Sequence, residues 1–419
     1  MNVKHTTIAA AVAAVLGTSS AFALSTNAPI GITILQTGSS AVQPAIQQVW
    51  TDFCVPGTLT TYVSADGASY FDYTCTLKSV APIPASAQGQ NMLYEETAAG
   101  GSVQGVNPVA LGQGHVYMNL SSCGAGVASG TVTCTDNADA TAVPDVGISD
   151  VEPKLFVAPN LPSGFTALTP TQLGALHVDG LFQQVFQVAV GASAHSAGVT
   201  NITSSQLASV IGGLVTDWHA IDQNIAAGTT IAVCLRTPGS GTQAGANALF
   251  LNNPCSPAGE LPLGSTPNIV FNSSTGILKN CLNHTLASNV NPGYELGILG
   301  LADGPKAGDT FTGISIDSVP ANAANAATGS YRYLVESTLQ YRTSLNTGTE
   351  PGALIATLYK ILSTPSSLAT VNSGLPAPAY NAEQSSTASP TAPYAAGTPV
   401  EWGSRGGSTC APYQLDFPN

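Results

Sequence analysis

Twice in this chain a short apolar run is broken by glycine and hydroxyl residues and then followed by a helical pattern. The clearer case is Ile231 to Leu235, then Arg236-Thr237-Pro238-Gly239-Ser240-Gly241-Thr242, then an Ala-rich run to Leu249-Phe250-Leu251. The second is Ile30 to Leu35, then Thr37-Gly38-Ser39-Ser40, then a helix over about 41–53 with Ala45, Ile46, Val49, Trp50 and Phe53 at helical spacing. Ser39 or Ser40 is the expected N-cap, and Pro44 suits the first turn. A strand–turn–helix unit of this kind aims backbone N–H groups and hydroxyls at one point. In the first unit an arginine joins them, one of only four in the chain. Repetition of such units constrains the chain to an α/β fold with a largely parallel sheet.

The remaining punctuation agrees. Val146 to Ser149 reads as a short strand ending at Asp150. Thr169-Pro170-Thr171-Gln172 and Thr203-Ser204-Ser205-Gln206 are capping boxes, the second opening a helix through Leu207, Val210 and Ile211. Val185–Val190 and Leu296–Leu301 read as buried strands, Tyr331–Tyr341 as a half-buried strand, 277–286 and 354–362 as helices. The Cys123–Cys134 segment reads as an inserted hairpin, and 252–275 as a Pro/Asn-rich irregular stretch. Pro, Ala, Ser and Thr dominate about 373–400, which reads as irregular structure or linker.

The first 23 residues have the pattern of an export signal: Lys4, an apolar run from Ile8 to Leu16, and the cleavage motif Ala21-Phe22-Ala23. No later stretch is long and apolar enough for a transmembrane helix. Eight cysteines follow the leader, none in C-x-x-C spacing, so disulfides are expected rather than zinc. Near neighbours suggest Cys54–Cys75 and Cys123–Cys134, then Cys255–Cys281, with Cys234–Cys410 by elimination. The formal net charge is −13 with only 8% charged residues, and there is no basic cluster. Nucleic acid and anionic membranes are thereby excluded as partners. A small anion can still be held by a local arginine and neutral dipoles.

The order of these segments resembles the periplasmic phosphate-binding proteins, receptors of phosphate ABC importers within the two-lobed type II periplasmic binding proteins. Arg236 followed by Gly239-Ser240-Gly241-Thr242 is similar to that family's arginine and GSGT turn, and Gly147-Ile148-Ser149-Asp150 to its strand ending in Ser-Asp. Ile202 to Leu207, Gly213 to Trp218 and Gly297 to Leu301 follow in the family's order, and the match spans most of 30–365. The resemblance implies an oxyanion cleft between lobes. Arg236, Ser240, Gly241 and Thr242 would face the anion from one lobe, and Ser39, Ser40 and the Ala41 N–H from the other. Asp150 would be the acidic partner that accepts the proton of a monohydrogen phosphate, while fully ionised sulfate would be rejected. It implies lobe closure at the two crossovers and an ABC permease as partner.

The chain departs from the family where a Gly-Ser-rich loop is expected. Glu95-Glu96-Thr97-Ala98-Ala99-Gly100-Gly101-Ser102 stands there, leaving Thr97 or Ser102 as ligand contacts. The residue two positions after the arginine, often acidic in the family, is Pro238. Glu95 and Glu96, as adjacent acids, read as a solvated turn rather than catalytic carboxylates. Trp50 and Trp218 read as core residues. The five histidines beyond the leader are scattered, and there is no G-x-S-x-G elbow. No catalytic residue, metal or cofactor is expected.

The resulting division is a signal peptide (1–23), a first lobe (24–189), a second lobe (190–296), a return crossover completing the first lobe (297–372) and a C-terminal segment (373–419). The leading reading is an exported solute-binding protein for phosphate or a similar oxyanion, a monomer unless it is a filament subunit. An extracellular structural or filament protein reusing the fold, and a secreted phosphatase, are the alternatives.

Overall fold

The computed structural model describes residues 29–415, apart from 68, 121–122, 124–128, 136–139, 258, 260–267, 286–290, 323–324, 327–328, 365–366, 368–379 and 382–402. The leader and most of the Pro/Ala/Ser/Thr-rich segment lie outside the described residues.

The strands in chain order are β1 (Ile32–Gly38), β2 (Thr60–Val63), β3 (Tyr70–Thr76), β4 (Asn91–Thr97), β5 (His115–Tyr117), β6 (Gly130–Thr133), β7 (Ala140–Ala142), β8 (Val146–Ser149) and β9 (Leu176–Val190). They continue with β10 (Asn201–Ile202), β11 (Ala232–Arg236), β12 (Ile269–Asn272), β13 (Glu295–Gly300), β14 (Thr312–Ile316), β15 (Leu334–Arg342), β16 (Tyr380–Asn381), β17 (Gly403–Ser404) and β18 (Gln414–Leu415). The helices are α1 (Gln43–Phe53), α2 (Asn107–Leu111), α3 (Pro170–Gly174), α4 (Ala192–Ser196), α5 (Ser204–Ile211), α6 (Gly241–Leu251), α7 (Thr275–Leu282) and α8 (Gly352–Ser363).

These elements form a mixed α/β sheet in two halves. The first half runs β6-β2-β3-β4-β1-β8-β15-β9, and the second β9-β13-β11-β12, with β14 also on β9. The centre of each half is parallel, β4-β1-β8 in one and β12-β11-β13 in the other, and the seam strands β9 and β15 are antiparallel to their neighbours. Strand β9 belongs to both halves. It pairs with β15 from Leu176 to Val185, then with β13 and β14 from Phe186 to Val190. The apolar run Val185–Val190 legible in the sequence is only its last six of fifteen residues. His177, Asp179, Gln183 and Gln184 obscure the rest.

Local chemistry explains most helix starts. Thr169 and Thr203 each accept from the N–H three residues on, with Gln172 and Gln206 reaching back, so both capping boxes form. Helix α1 buries Ala45, Ile46, Val49, Trp50 and Phe53 against β1 and α8, in a core that includes Ile34, Tyr94 and Leu358. Its N-cap is Val42, not Ser39 or Ser40, and no side chain caps it. The helix begins two residues later than expected, which frees both serines for tertiary partners. Trp50 and Trp218 are fully buried, as the sequence suggests, and the Trp218 indole N–H donates to the Tyr294 carbonyl at 2.9 Å.

Other expectations are corrected. Glu95 and Glu96 are not a solvated turn; they lie buried in mid-strand on β4. Gly130 to Thr133 pairs parallel with β2, and residues 124–128, which would supply the other arm of the expected hairpin, lie outside the described residues. The bonds Cys54–Cys75 and Cys123–Cys134 form, but the other two are Cys234–Cys281 and Cys255–Cys410. Cys234 projects from β11 into a cluster with Leu278, Cys281 and Leu282 of α7, so strand alternation selects its partner. Cys255 is left just past α6, where it takes Cys410. No helix among the described residues is long and apolar enough to cross a membrane.

Candidate functional site

The C-terminal ends of β1, β4, β8 and β11 converge where the two halves meet, and the turns that follow bring their hydroxyls together. Ser39, just after β1, donates its hydroxyl to the Asp150 carboxylate just after β8. The same Ser39 oxygen accepts the Ala41 N–H at 3.1 Å. Thr242, in the first turn of α6, donates to the other Asp150 oxygen at 3.2 Å, and the Asp150 N–H donates to the Ser102 hydroxyl at 3.2 Å. Asp150 is thus a buried acceptor ringed by residues from three turns. Burial pushes its pKa up, opposed by the Ser39 hydrogen bond and the Arg236 charge.

Arg236 ends β11 and is 3% exposed. Its Nε donates to the Asn272 carbonyl at 3.2 Å, Nη1 to the Thr275 hydroxyl at 3.1 Å and Nη2 to the Ser273 carbonyl at 3.1 Å. Burial lowers its pKa to about 10, with Asp150 and then Asp303 opposing the fall, so it stays a cation at neutral pH. The fork has five N–H donors, so two remain beyond these three bonds. The Ser40 hydroxyl lies 3.0 Å from that of Thr275, which ties the entry to α1 to the first residue of α7.

Gly241 is a packing requirement. A Cβ there would stand 2.6 Å from the Ser102 oxygen and 2.7 Å from the Asp150 Cβ. The turn before it is held across the two halves by the Val103 N–H donating to the Gly239 carbonyl at 2.8 Å.

The structure therefore brings Ser39, Ala41, Ser102, Asp150, Gly241 and Thr242 together, with Ser40 reaching Arg236 through Thr275. Two expected residues are turned elsewhere. The Ser240 side chain caps α6 by accepting the Gln243 N–H. Thr97 is buried at the end of β4 with its hydroxyl unpartnered and makes no bond to this group.

Two residues escape the sequence reading. Thr275 follows β12, and the register of β11 on β12 sets Asn272 opposite Arg236, so the next turn arrives at the guanidinium. Its signal is the hydroxyl-rich run Asn272-Ser273-Ser274-Thr275, a third strand–turn–helix of the kind already seen, with Ser274 as the cap. Asp303, after β13, has its pKa raised to about 6 by burial, against the pull of Lys306, Lys279 and Arg236. Among the described residues no group of His, Cys, Asp and Glu could hold a metal ion.

Two half-sheets joined by a shared strand, with polar turns gathered at their junction, give a mixed α/β fold flanked by helices. Among solved structures the chain is similar to several phosphate-binding proteins. A proposed phosphate ABC transporter substrate-binding protein from Clostridium perfringens, with bound phosphate, shares 14% identity at a TM-score of 0.47, covering 81% of this chain and 97% of the other. A human phosphate-binding apolipoprotein shares 13% at a TM-score of 0.47, over 80% and 87% of the two chains. PstS from Borrelia burgdorferi shares 12% at 0.39, over 82% and 98%. No family model and no curated protein matches the chain by sequence. The ligand question therefore rests on the site's own geometry.

Proposed function

We propose that this chain is an exported solute-binding protein that holds phosphate, or a similar oxyanion carrying a proton, between its two halves without covalent chemistry. The convergence of three helix entries on Asp150 and Arg236 carries this reading. Bonds from Ser39 and Thr242 to Asp150 link the starts of α1 and α6, and the Ser40–Thr275 contact adds the start of α7. Partial positive charge at helix N-termini, hydroxyls that donate or accept, and a guanidinium with two N–H groups to spare suit a small oxyanion. Asp150 adds selectivity, because an ionised carboxylate accepts a proton from monohydrogen phosphate and repels sulfate. Ligand roles for Ser39, Ser40, Ala41, Ser102, Asp150, Arg236, Gly241 and Thr242 follow from this reading, with Thr275 added. Ser240 serves it by starting α6. All eight cysteines are paired, which suits an oxidising compartment, and an ABC permease is the partner this role would require.

Isothermal titration with phosphate and sulfate tests the reading. Phosphate should bind, sulfate should not, and Arg236→Ala should abolish the heat. A folded protein that gives no heat with either anion would sink it.

One observation favours a second reading, a structural protein that reuses the fold. The halves are already joined across the site by Val103 to Gly239, Thr242 to Asp150 and Ser40 to Thr275. Electron microscopy of native material that shows ordered polymers would select it.

A further inference from the structure

Away from the junction, a groove of about 1000 Å³ runs between α5, the end of α6 and the C-terminal segment around Arg405 to Tyr413. Its walls differ in chemistry. Leu249, Phe250, Ala208 and Pro412 supply apolar surface, while Arg332 and Arg405 are cationic. Half of the chain's four arginines therefore line one groove of a protein whose net charge is −13.

Neither guanidinium makes an ion pair among the described residues, although the charges of Glu336 and Glu152 act on Arg405. Arg332 is exposed, and among the described residues it makes no ion pair. Arg405 is 9% exposed. It donates through Nη1 to the Ala411 carbonyl at 2.6 Å and through Nη2 to the Arg332 carbonyl at 3.2 Å, and its Nε is buried without a partner. Its guanidinium also lies 5.7 Å from the centre of the Tyr413 ring. The acid on the groove wall, Asp317, is engaged by the Ser204 N–H at 2.8 Å and by the Ser204 hydroxyl. Glu336 stands behind the wall and accepts the N–H groups of Arg405 at 2.6 Å and Gly407 at 3.0 Å.

We propose that this groove binds an amphipathic organic anion: a carboxylate or sulfonate on an alkyl or aromatic body. The charged end sits at Arg332 and Arg405, and the body lies between Phe250 and Tyr413. Size suits an organic ligand, since pockets of roughly 300–1,000 Å³ hold drug-sized molecules. Charge selects the anion, because a guanidinium fork pairs with planar or tetrahedral oxyanions and the acid lining the groove, Asp317, is held by Ser204. The site shares no residue with the Asp150–Arg236 group and does not depend on what that group binds.

The probe is 8-anilinonaphthalene-1-sulfonate, an aryl sulfonate whose fluorescence rises in apolar surroundings, added to the oxidised full chain in its native state. Saturable enhancement at one probe per chain is expected, displaced by decanoate but not by decanol or inorganic phosphate. Arg332→Ala should weaken binding about tenfold or more, equivalent to about 1.4 kcal/mol. Ala208→Trp should block the groove. Both variants should keep the wild-type urea midpoint, and Arg332 is exposed enough that its removal leaves the fold intact. Absence of saturable enhancement, displacement by decanol as effective as by decanoate, displacement by phosphate, or wild-type affinity in Arg332→Ala would each overturn the proposal.

Discussion

Glu96 makes the stability of this protein depend on pH in a direction opposite to that of a salt-bridged acid. Its side chain is fully buried on β4, on the same face as Tyr94, where it joins the core that holds Trp50. Burial raises its pKa from 4.5 to about 8, and Gln36, its register partner on β1, opposes the rise. The folded chain therefore holds this proton between those values while the unfolded chain releases it. Stability is full below about 4.5 and falls as pH rises through 8, by up to about 1.4 kcal/mol per unit and on the order of 5 kcal/mol in all. That is comparable with the total stability of many domains, about 5–15 kcal/mol. Glu96→Gln keeps the shape and removes the titration. Urea unfolding followed by tryptophan fluorescence at pH 5, 7 and 9 reads the difference, with Trp50, whose ring centre lies 4.8 Å from that of Tyr94, as a local reporter. The variant should match the wild type at pH 5 and exceed it by several kcal/mol at pH 9. Glu95, raised to about 7, keeps part of the slope in both proteins. A wild-type curve that is flat from pH 5 to 8.5, or a variant curve parallel to it, refutes the reasoning.

Three further perturbations test the site and its frame. Gly241→Ala forces a Cβ against Ser102 and Asp150; overpacking of about 1–3 kcal/mol should appear in thermal melts and phosphate heats should fall. Thr275→Val leaves an Arg236 N–H and the Ser40 hydroxyl without their shared partner. A loss of about 1–3 kcal/mol in urea unfolding is expected, and no change would show that the contact contributes nothing. Replacing both Cys234 and Cys281 with serine opens a bond spanning 47 residues, with an expected cost of about 4 kcal/mol in calorimetry.

Much of the architecture is legible in the sequence because its signals are local. A capping box, a proline in the first helical turn and an apolar face each act within one element, so Thr203, Pro44 and the Ala45–Phe53 face need no tertiary information. Asp150, Ser102 and Thr242 are named together from the sequence only through the family resemblance, since strand signals alone place each separately. What was not legible depends on register and on strand alternation. Thr275 meets Arg236 only because β12 lies parallel to β11 with Asn272 opposite Arg236. Cys281 pairs with Cys234 because that strand face meets α7, whereas chain proximity pointed to Cys255. Glu95 and Glu96 contradict the usual polarity of a strand interior, and nothing in their immediate neighbours announces that β4 lies between β1 and β3.

The bond between Cys255 and Cys410 gives the groove a chemical precondition. The groove's outer wall is carried by β17 and β18, two residues each, a ribbon too short to hold its place alone. Thr409 adds hydrogen bonds to Glu152, and Arg405 and Gly407 add theirs to Glu336, but the covalent tie to the end of α6 sets the wall's position. Where thiols stay reduced that tie is absent, and Arg405 and Tyr413 are left with the wall's hydrogen bonds to Glu152 and Glu336; the Cys234–Cys281 bond, which joins the strand of Arg236 to the helix of Thr275, opens as well. Each surface thus has one disulfide in its frame, Cys234–Cys281 behind Arg236 and Cys255–Cys410 behind the groove wall.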